Sequence, residues 1–174
     1  MAEQDLLPGL PDLSGPAVKL TWNPVNSAVA GNIWCVGGSD DNHVWVGGPN
    51  GIWFSGDDGK TFNQQPLPGG AGDITGIYAV GESAWAVNHE SQIFYRADDK
   101  TGWQPQSTPM SAVGSRLFSI WGSGREDIYI SGDAGLVMHS SNGGPWQAQF
   151  LMGGVIGYFN TIWGSSGMDV WASG

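Results

Sequence analysis

Apolar residues along this chain come in short runs, each broken by residues that favour turns. The pairs Ile33-Trp34, Ile77-Tyr78, Ile120-Trp121 and Ile162-Trp163 recur at spacings of 44, 43 and 42 residues. A second series, Val44-Trp45, Ala84-Trp85, Ile128-Tyr129 and Val170-Trp171, follows each of them after 7 to 11 residues. A third run comes next in three of the units: Gly51-Ile52-Trp53-Phe54, Gln92-Ile93-Phe94-Tyr95 and Gly135-Leu136-Val137-Met138. A turn and a further aromatic close each unit, at Phe62, Trp103 and Trp146, and Trp22 stands at the same spacing ahead of the first. Short runs bounded by Gly, Asn, Asp, Ser and Pro read as strands joined by tight turns. Several strands per unit at a period of about 40–50 residues are the mark of propeller blades.

The expectation is therefore an all-β propeller of four-stranded blades, about 3.5–4 of them in this chain, with residues 18–174 as the repeat domain. Residues 1–17, which hold Pro8, Pro11 and Pro16, read as an extended arm. The run Val18-Lys19-Leu20-Thr21-Trp22 alternates as a strand and ends at Asn23-Pro24.

The stretch Ser55-Gly56-Asp57-Asp58-Gly59-Lys60-Thr61-Phe62 is the most informative turn. Asp57 is placed to accept backbone N–H groups of its own turn, Gly59 to take a conformation closed to residues with a Cβ, and Phe62 to return to the core. The corresponding stretches Ala97–Trp103 and Ser140–Trp146 are degenerate versions of it. This pattern resembles the Asp-box, Ser-x-Asp-x-Gly-x-Thr-aromatic, of sialidase-type propellers. The units Ile120-Trp121-Gly122-Ser123-Gly124-Arg125-Glu126-Asp127-Ile128-Tyr129 and Ile162-Trp163-Gly164-Ser165-Ser166-Gly167-Met168-Asp169-Val170-Trp171 resemble repeats of bacterial Asp-box (BNR) propellers, the superfamily that includes sialidases and photosystem II assembly factors. The resemblance implies the fold and makes Ser55, Asp57, Gly59, Thr61 and Phe62 structural residues. It leaves function open, because such propellers include hydrolases, lectins and assembly factors.

An incomplete ring exposes sheet edges and an apolar blade face. Three closures are open: the arm could complete a small ring, two chains could share one ring of about seven or eight blades, or the chain could be part of a longer propeller. A homodimeric ring is the preferred expectation, because a four-blade ring needs a very tight axis.

Composition narrows the chemistry. The formal net charge is −10, from 16 acids against 6 bases, which argues against nucleic acid and anionic membrane as partners. The N-terminus lacks a basic region followed by an apolar core, and no apolar run has membrane-spanning length, so the chain reads as soluble, cytoplasmic or a processed extracellular form. The single cysteine, Cys35, lies in an apolar run and reads as a buried, inert thiol.

Repeated aromatics read first as packing between blades. The functional alternative is a set of indole faces stacking on sugar rings, with Trp53, Trp103 and Trp146 as candidates. His43, His89 and His139 stand at non-equivalent places and have no metal-ligand spacing, and no cofactor fingerprint is present. A sialidase needs an arginine cluster, and here there are only Arg96, Arg116 and Arg125. A glycosidase needs facing carboxylates, and Glu82, Glu90 and Glu126 have no evident partners. The leading expectation is a non-catalytic, lectin-like glycan-binding module; the alternatives are a protein-interaction or assembly scaffold and, third, a glycoside hydrolase.

Overall fold

Each repeat becomes one antiparallel sheet. The computed structural model describes residues 22, 24–25, 29–70, 72–151 and 157–174. The first sheet runs in order through β1 (Cys35–Asp40), β2 (His43–Gly48), β3 (Gly51–Ser55) and β4 (Asn63–Gln65). The second is β5 (Ile74–Val80), β6 (Ser83–Asn88), β7 (Ile93–Arg96) and β8 (Gln104–Gln106). The third is β9 (Leu117–Gly124), β10 (Asp127–Gly132), β11 (Leu136–Ser141) and β12 (Gln147–Phe150). The fourth, among the described residues, is the hairpin β13 (Thr161–Ser166) and β14 (Asp169–Ser173). First strands of successive sheets lie side by side, β1 with β5, β5 with β9 and β9 with β13. This is the blade arrangement of a β-propeller. No described helix is long and apolar enough to cross a membrane.

Period-two alternation supplies both faces of each blade. One face of the second sheet, with Ile77, Ala79, Ala84, Ala86, Phe94 and Trp103, packs on Trp45 and Ile52 of the first. Its other face, with Trp85, Val87 and Ile93, packs on Leu117, Ile120, Ile128 and Ile130 of the third. The repeated aromatics are thus the cores between blades.

The register corrects one expectation. Trp45, Trp85, Tyr129 and Trp171 pair across the sheet with Gly37, Tyr78, Trp121 and Trp163. The first copy of the leading anchor is therefore Val36-Gly37, three residues beyond Ile33-Trp34. Trp34 lies just ahead of β1, its N–H donating to Gly47 O at 2.8 Å.

The turn at 55–62 closes as its residues require. Asp57 Oδ1 accepts the Thr61 N–H at 2.9 Å and the Ser55 hydroxyl at 2.8 Å, and Oδ2 accepts the Thr61 hydroxyl at 2.7 Å. Ser55 Oγ in turn accepts the Gly59 N–H at 3.0 Å, with Gly59 at φ +70°. These bonds, those from the Thr61 backbone first, hold the Asp57 carboxyl at about 2. In the second sheet Asp98 keeps the role, accepting N–H groups of Lys100 and Thr101 at 2.9 and 2.8 Å. Phe62 is half-buried and lines the open face of the first sheet instead of an internal core.

The described arc is open. Val36 is 68% exposed, whereas its counterparts Ile77, Ile120 and Ile162 are 6%, 7% and 4% exposed. The arm expected over residues 1–17, and the strand expected ahead of Trp22, lie outside the described residues; Trp22 itself is exposed.

Candidate functional site

Every blade leaves its two kinds of connection at opposite ends. The turns within β1–β2, β5–β6 and β9–β10 lie at one end with the Asp57 turn. The β6–β7 and β10–β11 turns and the segments leading into β1, β9 and β13 lie at the other. The first end is occupied by interlocks. His43 Nδ1 and Nε2 lie 2.8 and 3.0 Å from Asp40 and Asp99, and the Ser39 hydroxyl donates to Gly81 O at 2.7 Å. Burial works against charge at His43, but the two carboxylates outweigh it and raise its pKa above 6.5. In the third sheet Asp127 takes the Ser123 hydroxyl and His139 Nε2, and His139 stacks on Tyr129 at 4.1 Å.

The second end carries a row of aromatic rings that crosses all three blade boundaries. Trp34 lies 5.9 Å from His89, His89 lies edge-on to Phe118 at 5.4 Å, and Phe118 lies edge-on to Tyr158 at 5.9 Å. Trp34 and Tyr158 are about half exposed, and His89 and Phe118 partly so. The backbone holds His89 in place: the neighbouring Asn88 is buried, and its Oδ1 accepts the N–H groups of Glu90 and Gln92 at 3.0 and 2.8 Å. Ser91, with φ +62°, completes that turn.

A charged pair caps one end of the row. Arg116 Cζ sits 5.6 Å over Phe118 and 5.4 Å over Tyr158, within cation–π range. Asp133 Oδ2 accepts both the Arg116 N–H and its Nε–H, at 3.1 and 3.2 Å, and keeps the guanidinium firmly protonated. Asp133 Oδ1 is buried without a hydrogen-bond partner among the described residues. Arg116, Asp133, Ala134, Gly157 and Tyr158 line a hollow of about 310 Å³ there. Ala134, at φ 54° and ψ 33°, takes a left-handed conformation unusual for a residue with a Cβ. Beside the second ring of the row, Asp73 lies 3.7 Å from His89, and the next residue, Glu90, is exposed.

The candidates from sequence fall elsewhere. Trp53, Trp103 and Trp146 are 6%, 3% and 8% exposed. Trp53 pairs with Val46 and Gln64 within its sheet, Trp103 packs edge-on to Trp45 at 5.2 Å, and Trp146 Nε1–H donates to Gln106 at 2.9 Å. None offers an open indole face to a sugar; these rings pack within and between blades. The three arginines do not cluster: Arg96 is buried over Trp45, Arg125 donates to the Tyr95 hydroxyl at 3.0 Å, and Arg116 is at the opposite end. Glu82 and Glu126 occupy turns at the end away from Glu90. No group of three His, Cys, Asp or Glu residues suited to a metal occurs among the described residues. Burial pushes the Cys35 thiol up to about 12, and it donates to Ile74 O at 3.7 Å.

The aromatic row was not singled out in the sequence. The signal was there: Phe118 and Tyr158 precede the Ile-Trp anchors of their units and belong to neither packing series.

No family model and no curated protein matches the chain by sequence. Solved structures match the fold. A structure of YCF48 bound to a D1 peptide is 19% identical with a TM-score of 0.67, over 82% of this chain and 49% of that one. A streptogramin B lyase is 17% identical with a TM-score of 0.66, over 81% and 47%. YCF48 from Cyanidioschyzon merolae is 10% identical with a TM-score of 0.66, over 82% and 48%. The chain thus spans about half the length of the structures it matches.

Proposed function

We propose that this chain is a protein-interaction module whose binding surface is the row Trp34–His89–Phe118–Tyr158. The observation that carries this reading is the continuity of that row across three blade boundaries, with Trp34 and Tyr158 about half exposed and His89 and Phe118 partly so. Aromatic rings held by a rigid sheet offer large contact area at little entropic cost, the usual make-up of an interaction hot spot. The row has the shape of an extended segment, and side chains at alternate positions of a bound peptide would fall on successive rings. Asp73 and Glu90 beside His89, on a chain of net charge −10, favour a peptide with apolar or aromatic residues and at least one Lys or Arg. YCF48, a propeller of the same fold, is bound to a peptide in its solved structure, which supports the same class of partner here.

The lectin reading loses its carriers, since Trp53, Trp103 and Trp146 are buried. Selection from a displayed peptide library, run beside a glycan array, separates the two. The expected result is enrichment of basic–aromatic peptides whose binding falls about tenfold or more in Tyr158→Ala and in Trp34→Ala, a loss of roughly 1.4 kcal/mol or more each. Glycan binding that both variants leave intact would overturn the proposal.

A further inference from the structure

Two junctions between blades share a plan and differ at one side chain. Between the first and second sheets, Arg96 of β7 places its guanidinium over Trp45 and Phe54, which pair across the sheet, at 4.9 and 5.3 Å. Its Nε–H donates to Asp98 O and Thr101 O of the turn that follows, and Nη2 donates to Asp99. Between the second and third sheets the corresponding pair is Trp85 and Tyr95, with ring centroids 4.8 Å apart. The residue in the place of Arg96 is Ser140. Arg96 pairs with Ala84, just before Trp85, and Ser140 pairs with Ile128, just before Tyr129.

The serine makes one of the arginine's bonds but does not fill its space. Its hydroxyl donates to Gly144 O at 2.8 Å, and Gly144 stands two residues before Trp146 as Thr101 stands two before Trp103. Where a guanidinium would follow, a hollow of about 340 Å³ remains, lined by Trp85 and Tyr95 from one sheet and by Ile128, Ser140 and Gly143 from the other. Exposed Glu126 also lines it, a carboxylate available to a cation as Asp99 is at the first junction. Arg125 does not occupy the hollow's ring wall: its Nη2 donates to the Tyr95 hydroxyl at 3.0 Å, whereas the cation–ring contacts among the described residues belong to Arg96 and Arg116. Arg125 is exposed, so its repulsion of a second cation is screened and its side chain can turn to water.

We propose that this hollow binds the guanidinium of an arginine side chain on a partner polypeptide. The group lies over Trp85 and Tyr95 and pairs with Glu126, as Arg96 lies over Trp45 and Phe54 and pairs with Asp99. A planar, weakly hydrated cation suits the two rings better than an ammonium does. The hollow is at the opposite end of the blades from the row Trp34–His89–Phe118–Tyr158, so the proposal does not rest on the peptide-binding reading.

Amide-correlation NMR on the 174-residue chain tests it, with the capped tripeptide Gly-Arg-Gly as probe and the same peptide carrying neutral citrulline as its match. The arginine peptide is expected to shift the amides of Gln106, Glu126 and Gly143 and to leave those of His89 and Phe118 in place. One stacked and one charge-assisted contact give a Kd on the order of 1 mM. The citrulline peptide should bind about tenfold more weakly or less, and Glu126→Gln should weaken the arginine peptide about threefold. Ser140→Arg supplies the guanidinium from the chain itself and should abolish binding while raising Tm. Should Ser140→Arg fail to fold, the two peptides on the parent chain and Glu126→Gln, at an exposed position, give the decision. Equal binding of the two peptides, undiminished binding in a folded Ser140→Arg or in Glu126→Gln, or binding of free arginine but not of the capped peptide overturns the proposal.

Discussion

Arg96 joins the first two blades, and replacing it tests whether that junction carries stability. Its side chain is 7% exposed. Nε–H donates to Asp98 O and Thr101 O at 2.8 and 3.1 Å, Nη2 to Asp99 at 3.2 Å, and Cζ lies 4.9 Å from the Trp45 ring and 5.3 Å from Phe54. Arg96→Met keeps most of the stem and removes the charge. Asp99 is 44% exposed and can rehydrate, so the ion pair itself contributes only about 0.2–1 kcal/mol. The stacking over two rings adds about 0.5–2 kcal/mol. The hydrogen bonds to two carbonyls add about 1.5–3 kcal/mol together once their solvation in an exposed turn is allowed for. Against these stands Nη1, buried without an acceptor among the described residues, whose removal relieves about 1–2 kcal/mol. The net expectation is a loss of about 2 kcal/mol, or about 4–8 °C in Tm for a chain of this size. Urea unfolding at one fixed protein concentration measures it, because any association raises apparent stability. Arg96→Lys restores the charge but not the fork or the flat stacking, and should recover less than half. No measurable loss in Arg96→Met, or full recovery in Arg96→Lys, would refute the reasoning.

Three further outcomes are expected. The Asp57 carboxyl is held at about 2 from an ordinary 3.8, so its contribution is complete above 3.8 and is lost as pH falls toward 2; Asp57→Asn should flatten that limb of an acid-unfolding profile. His43 is raised above 6.5, so its contribution is present in full below 6.5 and is lost as pH rises through the raised value; His43→Gln should remove this slope from stability measured across neutral pH. Gly164→Ala drives a methyl to 2.7 Å from both Asp169 O and the Trp121 ring and should cost about 1–3 kcal/mol in denaturant unfolding. Gly124→Ala, on the same kind of strand with nothing within 4 Å, should change little.

The fold was legible because blade packing repeats the same chemistry at the same interval. Trp45, Trp85 and Tyr129 do the same job three times, and a job repeated leaves a period. The one slip, at Ile33-Trp34, has a physical cause: Gly37 stands where the later units carry an aromatic, so the nearest indole, three residues back, takes its place in the pattern. Trp53, Trp103 and Trp146 stood out as binding candidates by residue type, yet sequence alone does not say which face of a strand meets another sheet. The row from Trp34 to Tyr158 was only half legible: Phe118 and Tyr158 stand outside both packing series, but nothing along the chain joins them to Trp34 and His89. Its members come from a strand entry, a turn, a strand and a loop, at no common interval, and only the side-by-side placement of β1, β5, β9 and β13 brings them together.

The most direct test of the interaction reading is the indole region of an amide-correlation NMR spectrum of the chain, which has ten tryptophans, titrated with the basic–aromatic peptide recovered by selection. The expected result is that the Trp34 indole resonance, assigned by Trp34→Phe, shifts with peptide while those of Trp45, Trp53, Trp103 and Trp146 stay in place. A Trp34 resonance that remains still through saturation would contradict the assignment of binding to this row.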